Sequence, residues 1–165
     1  MFKKLYPDLY VNSLKEIPLD EIKAMKKEGF ILDLDNTITE WNSNDITQEV
    51  IDWFHLIESR GFKACILSNN GERRIMEVAE QLEIPYIYRA QKPRRGGFYR
   101  AAESLGISID NTVVVGDQIF TDVLGGNRAG FFTILVVPIN KKEFLGTKIS
   151  RAMEFFVLKR LKREM

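Results

Sequence analysis

Asp33-Leu34-Asp35-Asn36-Thr37 is the stretch on which the reading of this chain turns. The residues before it, Glu28-Gly29-Phe30-Ile31-Leu32, pass from polar to apolar and predict a buried strand. Side chains two positions apart on a strand share a face, so Asp33 and Asp35 sit on one side where the strand ends. Buried carboxylates are costly without a counter-charge, and two at one strand end predict a hard divalent cation beside a nucleophile and an acid/base. Alone, the pattern Asp-x-Asp-x-Thr also fits a solvated strand-to-turn edge.

Three further segments weigh against that plainer reading. Ala64-Cys65-Ile66-Leu67-Ser68-Asn69-Asn70-Gly71 is a second apolar strand that stops at a hydroxyl and a turn. A helical pattern begins near Glu72, and the free N–H groups of a helix start suit a phosphate. Gln91-Lys92-Pro93 holds a lysine before a proline, which biases Lys92 away from helix and can open the helix that follows. Val113-Val114-Val115-Gly116-Asp117-Gln118-Ile119-Phe120-Thr121-Asp122 runs from a β-branched strand into Gly-Asp and then a second Asp. A carboxylate again lies where a buried parallel strand ends.

In this order, Asp-x-Asp, Ser, Lys and Gly-Asp…Asp resemble the four motifs of the haloacid dehalogenase (HAD) superfamily of phosphotransferases. The wording around them is narrower. Asp33 to Ile38, Leu67 to Asn70, Gly116 to Gly130 (GDQIFTDVLGGNRAG) and the opening Leu5-Tyr6-Pro7-Asp8-Leu9-Tyr10-Val11 resemble the YqeG family of small HAD phosphatases, subclass IIIA. That family is similar to the mitochondrial phosphatidylglycerophosphate phosphatases. The resemblance covers nearly the whole chain and is weakest after Glu143.

The resemblance implies roles. Asp33 is the nucleophile that forms an aspartyl-phosphate, and Asp35 protonates the leaving oxygen and then deprotonates water. Lys92 neutralises Asp33 and the transferring oxygens. Ser68, with the backbone at Asn69, donates to those oxygens, and Thr37 supports the loop. Mg2+ is held by Asp33, Asp117 and the carbonyl of Asp35. Asp122 lies five positions after Asp117, one more than in many relatives, and holds a metal-bound water or orients Lys92.

Composition bounds the rest. At 165 residues, 45% of them hydrophobic, the chain is expected to form one domain over 1–165. Its 24 lysines and arginines against 23 acids give no field that favours nucleic acid, so none is expected as a partner. The single cysteine, Cys65, is expected in the core and suits a reducing cytosol. Met1-Phe2-Lys3-Lys4-Leu5 lacks the apolar run of a secretory signal. Phe131 to Val137 falls well short of the roughly 20 residues of a membrane span.

Helices are predicted at Leu19 to Lys27, Ile46 to Ser59, Arg73 to Leu82 and Gly97 to Leu105, and from the end of strand four to Ala129. Strands are predicted at about 30–34, 63–68, 86–88, 112–116 and 131–137. Alternating units of this length predict a three-layer α/β/α fold on a parallel five-stranded sheet, with ligands at the carboxyl ends of the strands. The HAD resemblance adds the strand order 5-4-1-2-3. Neither the stretch from Thr37 to Ser68 nor that from Ser68 to Lys92 has room for a cap domain. A site without a lid borrows one from a partner or acts on something large. Trp41, in the short flap after Thr37, either touches substrate or packs on the flap. Gly125-Gly126, costly inside a helix, predicts close approach of that helix to the sheet.

Two basic features concern the substrate. Arg94 and Arg95 stand near a helix start, where either an anionic substrate or a solvated turn accounts for them. The segment 147–164 predicts a basic amphipathic helix. Ile149, Met153, Phe156, Val157 and Leu161 share one face, and Lys148, Arg151, Lys159 and Lys162 lie mostly opposite, with Phe155 and Leu158 among them. It either meets an anionic phospholipid surface or docks on the sheet with a charged back. Three functions are therefore open. One is a Mg2+-dependent phosphomonoesterase of phosphatidylglycerophosphate, cytoplasmic and peripheral at the inner face of the membrane. The second is a soluble phosphatase of a nucleotide, sugar phosphate or phosphoprotein. The third is a non-catalytic HAD-fold binding module, against which the intact Asp33, Asp35, Lys92 and Asp117 argue.

Overall fold

Phe30-Ile31-Leu32 lies at the centre of a six-stranded sheet. The computed structural model describes the backbone of residues 2–140 and 145–164 and the side chains of 2–140 and 151–160. Strands β1 (Leu9–Val11), β2 (Gly29–Leu32), β3 (Lys63–Leu67), β4 (Tyr86–Ile87), β5 (Thr112–Gly116) and β6 (Phe132–Val136) pair in the order β1-β6-β5-β2-β3-β4. Every pairing is parallel. The five expected strands stand in the expected order.

The sheet has a sixth strand that the sequence reading did not include. β1 is three residues long, too short for an alternation to announce it, and pairs with β6 from Leu9↔Ile134 to Val11↔Val136. Asp8 secures its start by accepting from Thr133 N through Oδ2 at 2.8 Å.

Alternation along β2 divides the core. Phe30 and Leu32 join one cluster with Trp53, Phe54 and Ile57 of α2 (Gln48–Ser59) and Ile75 and Val78 of α3 (Glu72–Leu82). Ile31 faces the other cluster with Phe98, Ala101 and Ala102 of α4 (Arg95–Leu105) and Ala129 of α5 (Leu124–Ala129). The sheet thus carries helices on both faces, as parallel sheets require. Cys65 is fully buried within the second cluster. Thr47 caps α2 by accepting from Val50 N, which places the helix start two residues after the expected Ile46.

Two helices differ from expectation. α1 (Leu19–Ala24) stops before Lys27, because Lys26 takes the left-handed conformation and Lys27 N closes back on Ile22 O. The helix expected after β5 opens instead as a wider turn over Ile119–Val123, where Val123 N reaches back five residues to Gln118 O. α5 then packs closely, as its glycines predict. A Cβ on Gly126 would lie 2.7 Å from Thr133 Cγ2 of the sheet, and one on Gly125 would lie 2.4 Å from Phe98.

The last helix, α6 (Leu145–Glu164), docks by a face other than the expected one. Arg151 and Glu154 turn inward, and Val157 and Leu158 pack on Ile119, Val123 and Leu135. Met153, Phe155 and Phe156 are 56%, 62% and 72% exposed. The helix thus leaves much of its predicted apolar face outward, because paired Arg151 and Glu154 occupy the inner one. Ile149, Leu161, Lys148 and Lys162, also named for its faces, lie outside the described side chains. Among the described residues no helix is long and apolar enough to cross a membrane.

Candidate active site

The chain runs β2 to β3 to β4 on one side of the sheet and β5 to β6 on the other, so its winding reverses beside β2. Ligands in open α/β sheets bind at such a point, beyond the carboxyl ends of the strands. Asp33 follows β2, Ser68 follows β3 and Asp117 follows β5. They meet with Lys92 from the loop before α4, whose bond to Pro93 is cis.

Lys92 ties the cluster together. Its Nζ donates to Asp33 Oδ1 at 2.8 Å and to Asp122 Oδ1 at 2.6 Å, and its side chain is almost fully buried. Asn69 clamps the lysine backbone: Oδ1 accepts from Lys92 N at 2.7 Å and Nδ2 donates to Lys92 O at 3.3 Å. The Asn69 side chain therefore holds the lysine in place. Ser68 lines the cleft, and its Oγ accepts from the Asn70 N–H and amide. Thr37 donates to Asp117 Oδ1 at 3.4 Å.

Gly116 makes room for Asp122. A Cβ there would lie 2.2 Å from Asp122 Cγ, so the Gly-Asp pair lets a carboxylate on the next turn fold against the strand end. The wide turn at Ile119–Val123 takes up the additional residue between Asp117 and Asp122 and still returns Asp122 to the cluster. One carboxylate oxygen each from Asp33, Asp117 and Asp122 lie within 4.8 Å of one another. Hard oxygen donors at this spacing fit a divalent cation such as Mg2+, Mn2+ or Co2+.

The electrostatics carry the same signature. Burial pushes the Asp33 carboxyl up; Lys92 opposes it, Asp122 and Asp35 add to it, and the group settles at about 6. Burial and then the neighbouring Asp33 push Asp117 well above the usual carboxylate range, with an Arg151 guanidinium opposing. Burial disfavours the charged Lys92, yet Asp122 and Asp33 outweigh it and hold the ammonium protonated. Buried carboxylates raised in this way ionise readily only when more positive charge arrives.

Asp35 points elsewhere. Its Oδ1 pairs with Arg74 Nη2 at 2.5 Å and accepts from Asn42 N at 3.0 Å, and its Oδ2 accepts from the Asn70 amide. Burial would raise this carboxyl, but Arg74, the Asn42 N–H and Asn70 outweigh it and hold it below the ordinary value. Its carboxylate is outside the acidic trio. Arg74 and Asn70 were not singled out from sequence, although Asn70 stands within the quoted Ser68 segment.

A cleft of about 260 Å³ opens over the cluster, walled by Asp33, Asp35, Ser68, Lys92, Gln118 and Trp41. Trp41 stands at the rim, 38% exposed. Arg94 and Arg95 are exposed and outside this wall. The described segment between β2 and α2 supplies only a flap.

A family model described as HAD-hydrolase-like matches residues 89–138. The "Probable phosphatase YqeG" of Bacillus subtilis is 42% identical over 165 residues, covering 99% of this chain and 96% of that one. The chain belongs to the YqeG family of HAD phosphatases. A chloroplastic phosphatidylglycerophosphate phosphatase 1 of Chlamydomonas reinhardtii is 26% identical over 91% of this chain, which spans 60% of that protein. Among solved structures, the cobalt-bound deoxy-D-mannose-octulosonate 8-phosphate phosphatase YrbI of Haemophilus influenzae shares the fold. Its TM-score is 0.56 at 14% identity, covering 69% of this chain and 70% of that one.

Proposed function

We propose that this YqeG-family phosphatase is a Mg2+-dependent phosphomonoesterase that works through an aspartyl-phosphate on Asp33, with phosphatidylglycerophosphate as substrate. The observation that carries the chemistry is the buried Asp33–Lys92–Asp122 chain beside Asp117. Asp33, Asp117 and the carbonyl of Asp35 would hold Mg2+, with Asp122 close by to hold a metal-bound water or orient Lys92, and the bound ion would offset the repulsion between a carboxylate nucleophile and a phosphate.

Asp33 attacks phosphorus, and the bond to the leaving alkoxide breaks as Asp35 gives it a proton. Water then attacks the acyl phosphate, Asp35 takes the water proton, and inorganic phosphate leaves with Asp33 restored. Lys92 holds Asp33 in line and offers charge to the transferring oxygens. Ser68, at the cleft wall, would donate from Oγ to those oxygens.

The lipid substrate is supported by a cleft over which the described residues place only a short flap, and by the helix beside it. α6 reaches Asp117 through Arg151 and, over the next two turns, exposes Phe155, Phe156, Lys159 and Arg160. Apolar and cationic side chains together suit an anionic membrane surface, which supports a peripheral site on the cytoplasmic face. The similarity to the algal phosphatidylglycerophosphate phosphatase points the same way. The test is phosphate release from phosphatidylglycerophosphate vesicles and from soluble sugar and nucleotide phosphates, with wild type and Asp33→Asn. Preference for the lipid, lost in Asp33→Asn, is expected. Faster turnover of a soluble phosphate would replace the lipid reading with the soluble one.

A further inference from the structure

The C-terminal helix reaches into the acidic cluster. Arg151 Nη2 binds Asp117 Oδ2 and its Nη1 binds the Asp117 carbonyl oxygen, so one guanidinium grips both ends of the residue. The Asp117 side chain has no exposed surface, and that of Arg151 keeps 20%. Glu154 holds the arginine in turn: Oε2 accepts from Arg151 Nη1 at 2.9 Å, while Oε1 accepts from Ile119 N at 2.6 Å. The chain of contacts runs from the backbone after β5, through Glu154 and Arg151, back to the carboxylate two residues before Ile119.

We infer that Arg151 is a positioning residue for the cation site: it fixes the Asp117 carboxylate through Oδ2, leaves Oδ1 for the cation, and so makes α6 part of the active centre. Thr37 is the complementary support, donating to Oδ1 at a long 3.4 Å. A ligating carboxylate is oriented by hydrogen bonds from the groups behind it, and losing such a partner typically weakens metal binding about 10–100-fold. Arg151 also places a positive charge next to the site, and charge alone would repel a cation. The two effects have opposite signs, so a substitution separates them. A planar two-pronged donor is also not replaced by an ammonium.

The inference rests on the divalent-cation reading above, and calorimetric titration of Mg2+ into the full-length protein tests both. Wild type should bind. Arg151→Gln should bind about tenfold or more weakly, and Arg151→Lys should also bind weakly because it keeps the charge and loses the fork. Glu154→Gln should fall between them and wild type. Melting temperatures in excess chelator verify that each variant is folded, and Mg2+ should raise the melting temperature less in the Arg151 variants than in wild type. Tighter or unchanged binding by Arg151→Gln would overturn the positioning role and leave Arg151 a mere counter-charge. Binding weakened in Arg151→Gln but intact in Arg151→Lys would overturn the two-pronged grip, because a single ammonium contact to Asp117 would then suffice. A wild type that binds no Mg2+ would overturn the cation reading itself and this inference with it. A variant that fails to melt cooperatively in chelator is replaced by Arg151→Met, which keeps the stem's packing and is held to the same expected loss.

Discussion

Asp35 carries a proton in one half of the proposed cycle and lacks it in the other, and its neighbours favour the second state. Arg74, Asn42 N–H and Asn70 hold it ionised against its burial. Replacing Arg74 by alanine should raise the Asp35 pKa. Where hydrolysis of the acyl phosphate limits turnover, Asp35 acts as a base, and the acid limb of the pH–rate profile should then move to higher pH. A profile that stays in place would remove Arg74 from the proton chemistry. Asp33→Asn should lower turnover by more than about 10³-fold, the scale on which loss of a covalent nucleophile acts, with little change in melting temperature. Asp33 and Asp117 were legible in the sequence because each is a carboxylate at the end of an apolar run, and Lys92 because it stands before a proline that opens a helix. Arg74, Arg151 and Glu154 were not. Each lies on a helix among other charged residues, and only the tertiary fold selects which of them turns inward.

At the level of elements, the strands could be read from their β-branched and apolar runs, and the five from β2 to β6 appear where those runs are. β1 is an isolated three-residue run, Leu9-Tyr10-Val11, just after Pro7-Asp8, and its pairing to β6 is a tertiary event. The wide turn at Ile119–Val123 was hidden because winding leaves no mark on composition, although the five-residue step from Asp117 to Asp122 was its trace. The close approach foreseen at Gly125-Gly126 gives a stability prediction. Gly126→Ala puts a Cβ 2.7 Å from Thr133 Cγ2 and should cost about 1–3 kcal/mol by overpacking. For a chain of 165 residues that lowers the melting temperature by several degrees, roughly 2–4 °C per kcal/mol. For α6 the sequence leaves open docking on the sheet or meeting a membrane, and the described part docks with large apolar side chains left outward. Its inner face packs on Ile119 and Leu135 while Phe155 and Phe156 stay exposed. Phe155→Ser with Phe156→Ser should therefore weaken binding to anionic vesicles and spare turnover of a small soluble phosphate. Lys159→Gln with Arg160→Gln should weaken it by roughly 1 kcal/mol per charge, less at high salt. Cosedimentation unchanged by both pairs would remove α6 from the membrane reading.

The whole molecule places three carboxylates and a lysine beyond the carboxyl ends of its central strands, and the cost shows in its response to pH. In chelator, burial raises the folded-state pKa of Asp33 to about 6, against an ordinary value of 3.8, and pushes that of Asp117 well above its ordinary value. Between those values the folded chain binds more protons than the unfolded one, so stability falls as pH rises through about 4 to 6. Excess Mg2+ should reverse the trend, because binding requires the ionised carboxylates and stabilises by mass action. Melting curves against pH with and without Mg2+ check this, and parallel curves would contradict a shared cation. The most direct test concerns the covalent step on Asp33. An aryl phosphate has a leaving group that needs no proton, so Asp35→Asn should still form the acyl phosphate but should hydrolyse it slowly. Acid quench of this variant with an aryl phosphate and Mg2+, followed by peptide mapping, should find the phosphoryl group on Asp33 and none when Asp33→Asn is added. Phosphate released at the wild-type rate by Asp33→Asn, or a label carried by another residue, would contradict the mechanism.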